Sequence, residues 1–251
     1  MLELLPNLRL VANYGAGYDL VDVEACRRRG VAVTNTPGVT SAATADLAFG
    51  LILAVRRRIA AGDSFVRSGR WGSDWAREPL KADEVAGSTL GIIGLGKIGL
   101  AVAQRARGFD MRVLYTRSRA SDDPEYRPLA DLLAESDVVS LHLPLTDETR
   151  GLIDAGRLAL MRDGSCLINT ARGQIVDEPA LVAELVSGRL QAGLDVFANE
   201  PDVPAELVEL PNVVMTPHLG TATNATREAM TRVLVDNLLA AEAGRPLPNE
   251  V

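Results

Sequence analysis

Three short segments of the sequence carry polar side chains whose chemistry suits the reduction of a carbonyl group. Arg172 lies in a turn of small residues, Glu200 precedes a proline, and His218 lies in a third turn. A guanidinium can hold a carboxylate and polarise a carbonyl, and an imidazole can donate a proton near neutral pH. A carboxylate beside that imidazole favours its charged form. A guanidinium, a carboxylate and an imidazole together fit hydride transfer to a ketone without a metal. Arg172 could instead be a surface arginine.

Other residues compete for two of these roles. Chemistry alone does not separate Glu200 from its acidic neighbours Asp195, Asp202 and Glu206. The only other histidine of the chain, His142, also falls near the end of a predicted strand. A structural or cofactor-lining role suits His142 better, because it does not lie in a turn as His218 does.

A glycine-rich loop is the strongest local motif. It has the spacing G-x-G-x-x-G at Gly94, Gly96 and Gly99, between an apolar strand and a helix, which is the context that dinucleotide-binding loops require. Gly94 permits a tight turn, Gly96 lets the backbone approach a pyrophosphate, and Gly99 lets the helix pack on the strand. The helix N-terminus offers N–H groups to the phosphates. The alternative is a glycine-rich turn without a ligand. The predicted cofactor contacts here are Gly94, Leu95, Gly96, Lys97 and Ile98.

The end of the next strand predicts the type of dinucleotide. An NAD site usually places an acid there to bond the ribose 2′-hydroxyl, but this sequence has Arg117, Ser118 and Arg119. Arginine holds a 2′-phosphate in a charge-assisted pair, and a carboxylate would repel it. We therefore expect NADP(H) to be preferred, with NAD(H) as the alternative cofactor. The alternative is that Arg117 and Arg119 are solvated loop arginines with no role in cofactor binding.

The motifs lie on a regular alternation of strands and helices. The pattern predicts an α/β fold with a doubly wound, Rossmann-type parallel sheet covered by helices on both faces. In such a sheet ligands bind beyond the carboxyl ends of the strands, where the candidate residues fall. The predicted strands are 8–12, 31–34, 89–93, 112–116, 137–143, 165–169, 191–196 and 212–216. The predicted helices are 22–29, 41–58, 98–108, 128–134, 154–161, 178–187 and 224–243.

Composition narrows the class of protein. The chain has 251 residues, a formal net charge of -7 and two cysteines. An acidic balance argues against nucleic acid or an anionic membrane as a partner. No apolar run approaches the ~18 residues of a membrane span, and the first residues lack the features of a signal peptide. Two cysteines form neither a disulfide framework nor a metal cluster, so we expect a reduced, cytoplasmic protein.

The motifs together resemble those of the D-isomer-specific 2-hydroxyacid dehydrogenase family. The resemblance covers nearly the whole chain and is carried by the segments VANYGAGYD, TNTPG, GLGKIG, LINTARG, GLDVFANEP and TPHLG. Within the family, the segment 117–119 and the final GRPLPNEV look like the NADPH-dependent glyoxylate/hydroxypyruvate reductases. This implies hydride transfer from NADPH to a small 2-oxo acid, giving the D-2-hydroxy acid.

The resemblance also assigns roles to residues. It places the catalytic set on Arg172, Glu200 and His218, and it gives Asp195 a bond to the nicotinamide carboxamide. It implies that backbone N–H groups of Ala16 and Gly17 bind the substrate carboxylate opposite Arg172. The further cofactor contacts predicted on this basis are Leu143, Pro144, Thr149, Thr170, Ala171, Asp195 and Gly220.

The length predicts how the chain is divided. We expect a dinucleotide-binding domain at 37–221, and a flavodoxin-like substrate lobe formed by 1–36 and 222–251. Members of the family carry further strands and helices before the VANYGAGYD segment, so this lobe is expected to be shortened at its N-terminus. The substrate pocket is expected in the cleft between the lobes.

The shortened lobe leaves two other functions open. One is a dinucleotide-sensing regulatory protein of the same fold, and the other is an inactive, truncated dehydrogenase. Retention of an acid–base set favours catalysis. The segment around Trp71 and Trp75 resembles a dimerisation arm and predicts a homodimer, but its spacing gives neither tryptophan a catalytic role.

Overall fold

A computed structural model describes residues 2–69, 71–72 and 81–251 of the chain. The chain forms two compact units, one made of Thr44–Gly220 and the other of the residues up to Ala43 together with Thr221–Val251. The sequence placed the first boundary after residue 36, before helix α2 (Ser41–Arg56). The observed boundary instead falls within the first turn of that helix.

The larger unit is built on a six-stranded parallel sheet. The strand order is β4-β3-β5-β6-β7-β8, and every neighbouring pair is parallel. The strands are β3 Thr89–Ile93, β4 Arg112–Thr116, β5 Val138–Leu141, β6 Cys166–Asn169, β7 Gln191–Leu194 and β8 Val213–Met215. The chain passes from β3 to β4 on one side and then returns to place β5 on the other side of β3. This reversal is the topological switch point at which such sheets bind ligands.

Helices cover both faces of this sheet, as the sequence predicted. Successive residues of a strand enter opposite cores, because strand side chains alternate between faces. The helices are α2 Ser41–Arg56, α3 Ile59–Arg67, α4 Lys97–Arg107, α5 Leu129–Glu135, α6 Ala155–Leu160 and α7 Glu178–Val186. Leu90 and Ile92 pack in one core with α2 and α4, whereas Ile93 packs in the other with α5, α6 and α7.

The smaller unit contains a two-stranded parallel sheet. Strand β1, Leu10–Ala12, pairs with β2, Ala32–Thr34, and helix α1, Val23–Arg28, connects them. Helix α8, Asn224–Glu242, belongs to this unit. The residues after α8 return to β2, where Thr34 and Glu250 form an antiparallel bridge.

One helix was not predicted from the sequence. The expected helix at 41–58 ends at Arg56, and a separate helix, α3, begins at Ile59. Arg58 between them has a left-handed backbone (φ 52°), which interrupts the helical path. No glycine or proline marks this break, so the sequence contained no ordinary signal for it. Of the two tryptophans, Trp71 is exposed and Trp75 lies outside the described residues.

Two further structural facts concern the described residues. None of their helices is both long and apolar enough to cross a membrane, and they contain no group of three or more potential metal ligands. Both cysteines, Cys26 and Cys166, are buried and unpaired. Burial raises the pKa of the Cys166 thiol to about 12, so this thiol stays protonated at neutral pH.

Candidate active site

The glycine loop after β3 has the geometry that its spacing predicted. Gly94 has φ +98°, and a Cβ there would lie 2.5 Å from the carbonyl oxygen of His142. A Cβ at Gly99 would overlap the carbonyl oxygen of Gly94, since the first turn of α4 packs directly on the loop. Both positions therefore require glycine, one for its backbone conformation and one for close packing.

Gly96 differs from these two glycines, because it faces open space. A Cβ there would meet nothing within 4 Å, and no side chain caps the helix that follows. The first N–H groups of α4, from Lys97 onward, have no carbonyl partner within the helix. An open cradle in front of such a helix N-terminus fits the pyrophosphate of a dinucleotide.

The end of β4 lies beside this loop. The N–H of Gly94 donates to the carbonyl oxygen of Thr116 at 3.1 Å, so the segment 117–119 begins next to the cradle. Arg117, Ser118 and Arg119 are exposed, and the Arg117 guanidinium lies 5.8 Å from the centre of the Tyr115 ring. A cation–π contact of this kind favours a defined position of the guanidinium.

The segment after β5 borders the loop on its other side. Leu143 is close to Gly94, since a Cβ at Gly94 would approach its Cδ2 to 2.7 Å. Thr149 closes this segment on itself by donating to the carbonyl oxygen of Pro144 at 2.7 Å and accepting from the N–H of Thr146 at 2.8 Å. The structure thus brings Leu143 to the cradle and uses the Thr149 hydroxyl to shape the turn.

His142 is held within the protein. Its Nε2 lies 2.9 Å from the Ser140 hydroxyl, and burial lowers the pKa of His142 to about 4. The ring is therefore neutral near pH 7. This environment agrees with a structural or cofactor-lining role.

Asn169 shapes the turn that carries Arg172. Its side-chain amide donates to the Arg172 carbonyl oxygen at 2.8 Å and accepts from the Ala171 N–H at 3.0 Å. The Arg172 guanidinium donates to the carbonyl oxygen of Ala171 at 2.7 Å. The buried hydroxyl of Thr170 has no hydrogen-bond partner among the described residues. Because buried hydroxyls are normally bonded, this atom fits a turn that receives a ligand.

The Arg172 turn is packed against the segment that carries Glu200. A Cβ at Gly173 would overlap the backbone of Phe197 and Ala198. Gln174 donates to the Ala198 carbonyl oxygen at 2.6 Å, and Glu178 accepts from the Ala198 N–H at 2.8 Å. These contacts fix the two segments against each other. No sequence motif marks Gln174 or Glu178.

Glu200 and His218 form a direct pair. Glu200 Oε2 lies 2.8 Å from His218 Nδ1, and Glu200 Oε1 accepts from the Phe197 N–H at 3.1 Å. A carboxylate only accepts, so Nδ1 carries a proton and Nε2 is the nitrogen available to a substrate. The His218 side chain is 50% exposed. Of the four acids that chemistry left in competition, the structure places Glu200 on the imidazole.

Asp195 builds the turn in which His218 stands. Its buried carboxylate accepts from the Thr216 hydroxyl (2.6 Å) and from the N–H groups of Leu219 (2.7 Å) and Gly220 (2.9 Å). Its carbonyl oxygen accepts from the His218 N–H at 2.9 Å, and His218 has a left-handed backbone (φ 53°). The resemblance implied only a cofactor role for Asp195, and no sequence signal showed this structural one.

The loop at Ala16 and Gly17 belongs to the smaller unit. The carbonyl oxygens of Gly15, Ala16 and Gly17 all accept hydrogen bonds from within this unit. In the part of the chain that the structure describes, the N–H groups of Ala16 and Gly17 donate to no protein acceptor. Two adjacent N–H groups that donate to no protein acceptor are suited to bind an anion.

The sequence is similar to those of known proteins. Residues 49–220 match the family model described as the NAD binding domain of D-isomer specific 2-hydroxyacid dehydrogenase. A glyoxylate reductase of Pyrococcus horikoshii is 49% identical over 261 residues, which span 100% of this chain and 78% of the relative.

Solved structures show the same similarity. An NADPH-dependent glyoxylate/hydroxypyruvate reductase from Sinorhizobium meliloti, in complex with NADP and malonate, superposes with TM-score 0.90 at 39% identity, covering 98% of this chain and 78% of that one. A D-lactate dehydrogenase from Aquifex aeolicus, complexed with NAD and lactic acid, gives TM-score 0.87 at 33% identity, covering 97% and 79%.

Proposed function

Because the chain belongs to the D-isomer specific 2-hydroxyacid dehydrogenase family, we propose that it reduces glyoxylate and hydroxypyruvate with NADPH. Membership of the family makes it an NAD(P)-dependent oxidoreductase. The observation that carries the proposal is the pair of Glu200 and His218 at 2.8 Å. A protein that only senses a dinucleotide has no need of an acid–base pair.

The proposed mechanism assigns each step to a side chain. A bound reduced nicotinamide supplies the hydride. Arg172 binds the substrate carboxylate and polarises the carbonyl. The resemblance to the family also assigns the N–H groups of Ala16 and Gly17 to carboxylate binding. His218 donates its Nε2 proton to the forming alkoxide, and Glu200 accepts a hydrogen bond from Nδ1 and so orients the ring. Such proton donation typically contributes ~10²–10⁴ in rate.

The preference for NADPH rests on the segment after β4. Arg117 and Arg119 stand there without an acid between them, beside the loop that fits a pyrophosphate. A guanidinium and a phosphate form a strong bidentate pair, so the 2′-phosphate of NADPH is the group this segment suits. The relative from Sinorhizobium meliloti is NADPH-dependent, which supports the same preference.

Steady-state rates with both coenzymes test this preference. We expect kcat/KM to be higher with NADPH than with NADH. The Arg117→Asp variant should reverse the order, because a carboxylate repels the 2′-phosphate and can bond a ribose hydroxyl. Asp131→Ala, which changes an exposed charge on α5, is the control. A preference for NADH in the unchanged chain would refute the assignment.

A panel of substrates tests the reaction itself. Glyoxylate and hydroxypyruvate should be reduced faster than bulkier 2-oxo acids. Binding of NADPH without turnover of any 2-oxo acid would favour a regulatory protein or an inactive dehydrogenase.

A further inference from the structure

We propose that Asn13 and Asn35 are positioning residues that orient the amides of Ala16 and Gly17 toward a substrate carboxylate. The inference rests on the proposed role of those amides and adds the groups that prepare them.

Asn13 fixes the loop from its beginning. Its side-chain Nδ2 donates to the carbonyl oxygens of Gly15 at 3.0 Å and Gly17 at 2.9 Å. One amide therefore spans the loop and holds two carbonyl groups on the same side. Alanine at position 13 would release the Gly17 carbonyl group and would leave the Gly15 carbonyl group with only the Thr36 N–H as a donor.

Asn35 fixes the carbonyl group that Asn13 does not reach. It stands just after β2, its side chain is buried, and its Nδ2 donates to the Ala16 carbonyl oxygen at 2.7 Å. The neighbouring Thr36 N–H donates to the Gly15 carbonyl oxygen at 2.9 Å. The end of β2 thereby supports the loop with one side chain and one backbone group.

These bonds determine where the amides point. The C=O and N–H of one trans peptide unit lie in a plane and point in opposite directions. Holding the Gly15 oxygen therefore directs the Ala16 N–H, and holding the Ala16 oxygen directs the Gly17 N–H. With the oxygens bonded inside the unit, the two N–H groups are turned away from those partners and left for an external anion.

The position of Asn35 is itself fixed by a buried pair. The Asn35 N–H donates to the carbonyl oxygen of Asn249 at 3.2 Å. Asn249 is bonded twice to Asn237 of α8, through its N–H to Oδ1 at 3.1 Å and through its Oδ1 to Nδ2 at 3.0 Å. Asn237 is fully buried, so its side chain is held in place by the surrounding protein. Asn237 thus holds Asn249, and Asn249 holds the backbone of Asn35 below the loop.

Single variants with steady-state kinetics test the inference. We expect Asn13→Ala and Asn35→Ala to raise KM for glyoxylate about tenfold, the effect of one lost neutral hydrogen bond. The rise in KM should exceed any fall in kcat, and the dissociation constant of NADPH should stay unchanged. Asn35→Asp, which keeps the size but loses the donor and adds a negative charge, should raise KM further.

The matched control is Asn212→Ala. The Asn212 amide also donates to two carbonyl oxygens, of Leu185 at 2.9 Å and Leu190 at 2.8 Å, but it lies in the larger unit. This variant should lose thermal stability and keep its KM. A similar loss of stability in all variants with no separate change in KM would show that the asparagines are merely structural, and would overturn the inference.

Binding of oxalate, a non-reducible carboxylate, separates this inference from the proposed function. Weaker oxalate binding in both asparagine variants supports it, even where turnover is too slow to measure. Unchanged binding and KM in an active enzyme would overturn the inference alone. Gly17→Pro, which removes one N–H, should also weaken binding. Unchanged binding in that variant would overturn the role of the amides, and this inference with it.

Discussion

The two histidines of the chain stand in opposite environments. His218 is half exposed and pairs with Glu200, whereas His142 bonds Ser140 and its pKa is lowered to about 4 by burial. His142 is therefore a neutral imidazole near pH 7, and not the charged imidazolium that acts as a general acid. The sequence favoured His218 as the acid because it lies in a turn, whereas His142 falls near the end of the predicted strand 137–143.

The low pKa of His142 makes stability depend on pH. The unfolded chain binds this proton near pH 6.5 and the folded chain only near pH 4, so the group removes stability as the pH falls through that window. His142→Gln lacks this contribution. We expect the free energy of unfolding of the unchanged chain to fall more steeply between pH 7 and 4.5 than that of the variant, in urea titrations. Parallel pH profiles would contradict the assignment.

Gly173 tests the contact between the two catalytic segments. A Cβ there overlaps the backbone of Phe197 and Ala198, so Gly173→Ala must separate the Arg172 turn from the Glu200 segment. We expect a loss of about 1–3 kcal/mol in stability, as for other overpacked sites, together with a clear fall in kcat. Gly156→Ala is the control, because its Cβ would meet only ordinary contacts. Equal stability and activity in both variants would show that the segments are not held as described.

At the scale of elements, two glycines of the β3–α4 connection have different roles, one in stability and one in cofactor binding. Gly99→Ala should destabilise the protein by about 1–3 kcal/mol, because its Cβ overlaps the Gly94 carbonyl. Gly96→Ala should leave stability almost unchanged, because its Cβ enters open space, and should weaken NADPH binding by filling the cradle. Thermal unfolding and NADPH titration of both variants check this contrast. Tight NADPH binding by Gly96→Ala would place the pyrophosphate elsewhere.

Elements were predictable where one pattern determined them. Strand β3 is an apolar run buried at every position, and its predicted bounds are those observed. The helix at 41–58 was wrong at its end, because the left-handed Arg58 has no sequence mark. The division into α2 and α3 is decided by packing, which periodicity in a single helix does not report.

At the scale of the whole molecule, the alternation of strands and helices predicted the Rossmann-type sheet. The sheet in turn predicted that the motifs lie at the ends of its strands. The hydrogen bonds that hold the site residues in place could not be predicted. Asp195 holds the His218 turn through contacts with Thr216 and Gly220, and Asn13 with Asn35 holds the substrate loop. These bonds join residues whose pairing depends on the folded backbone, so no motif encodes them.

The most direct test of the whole account is the reduction of glyoxylate by the His218→Gln variant. We predict that the unchanged chain oxidises NADPH with glyoxylate, and that the variant binds NADPH with the same dissociation constant but loses about 10²–10⁴ in kcat. The His142→Gln variant, measured alongside, should retain turnover. Unchanged kcat in His218→Gln would contradict the assignment of the proton donor, and NADPH binding without turnover by the unchanged chain would contradict the proposed reaction.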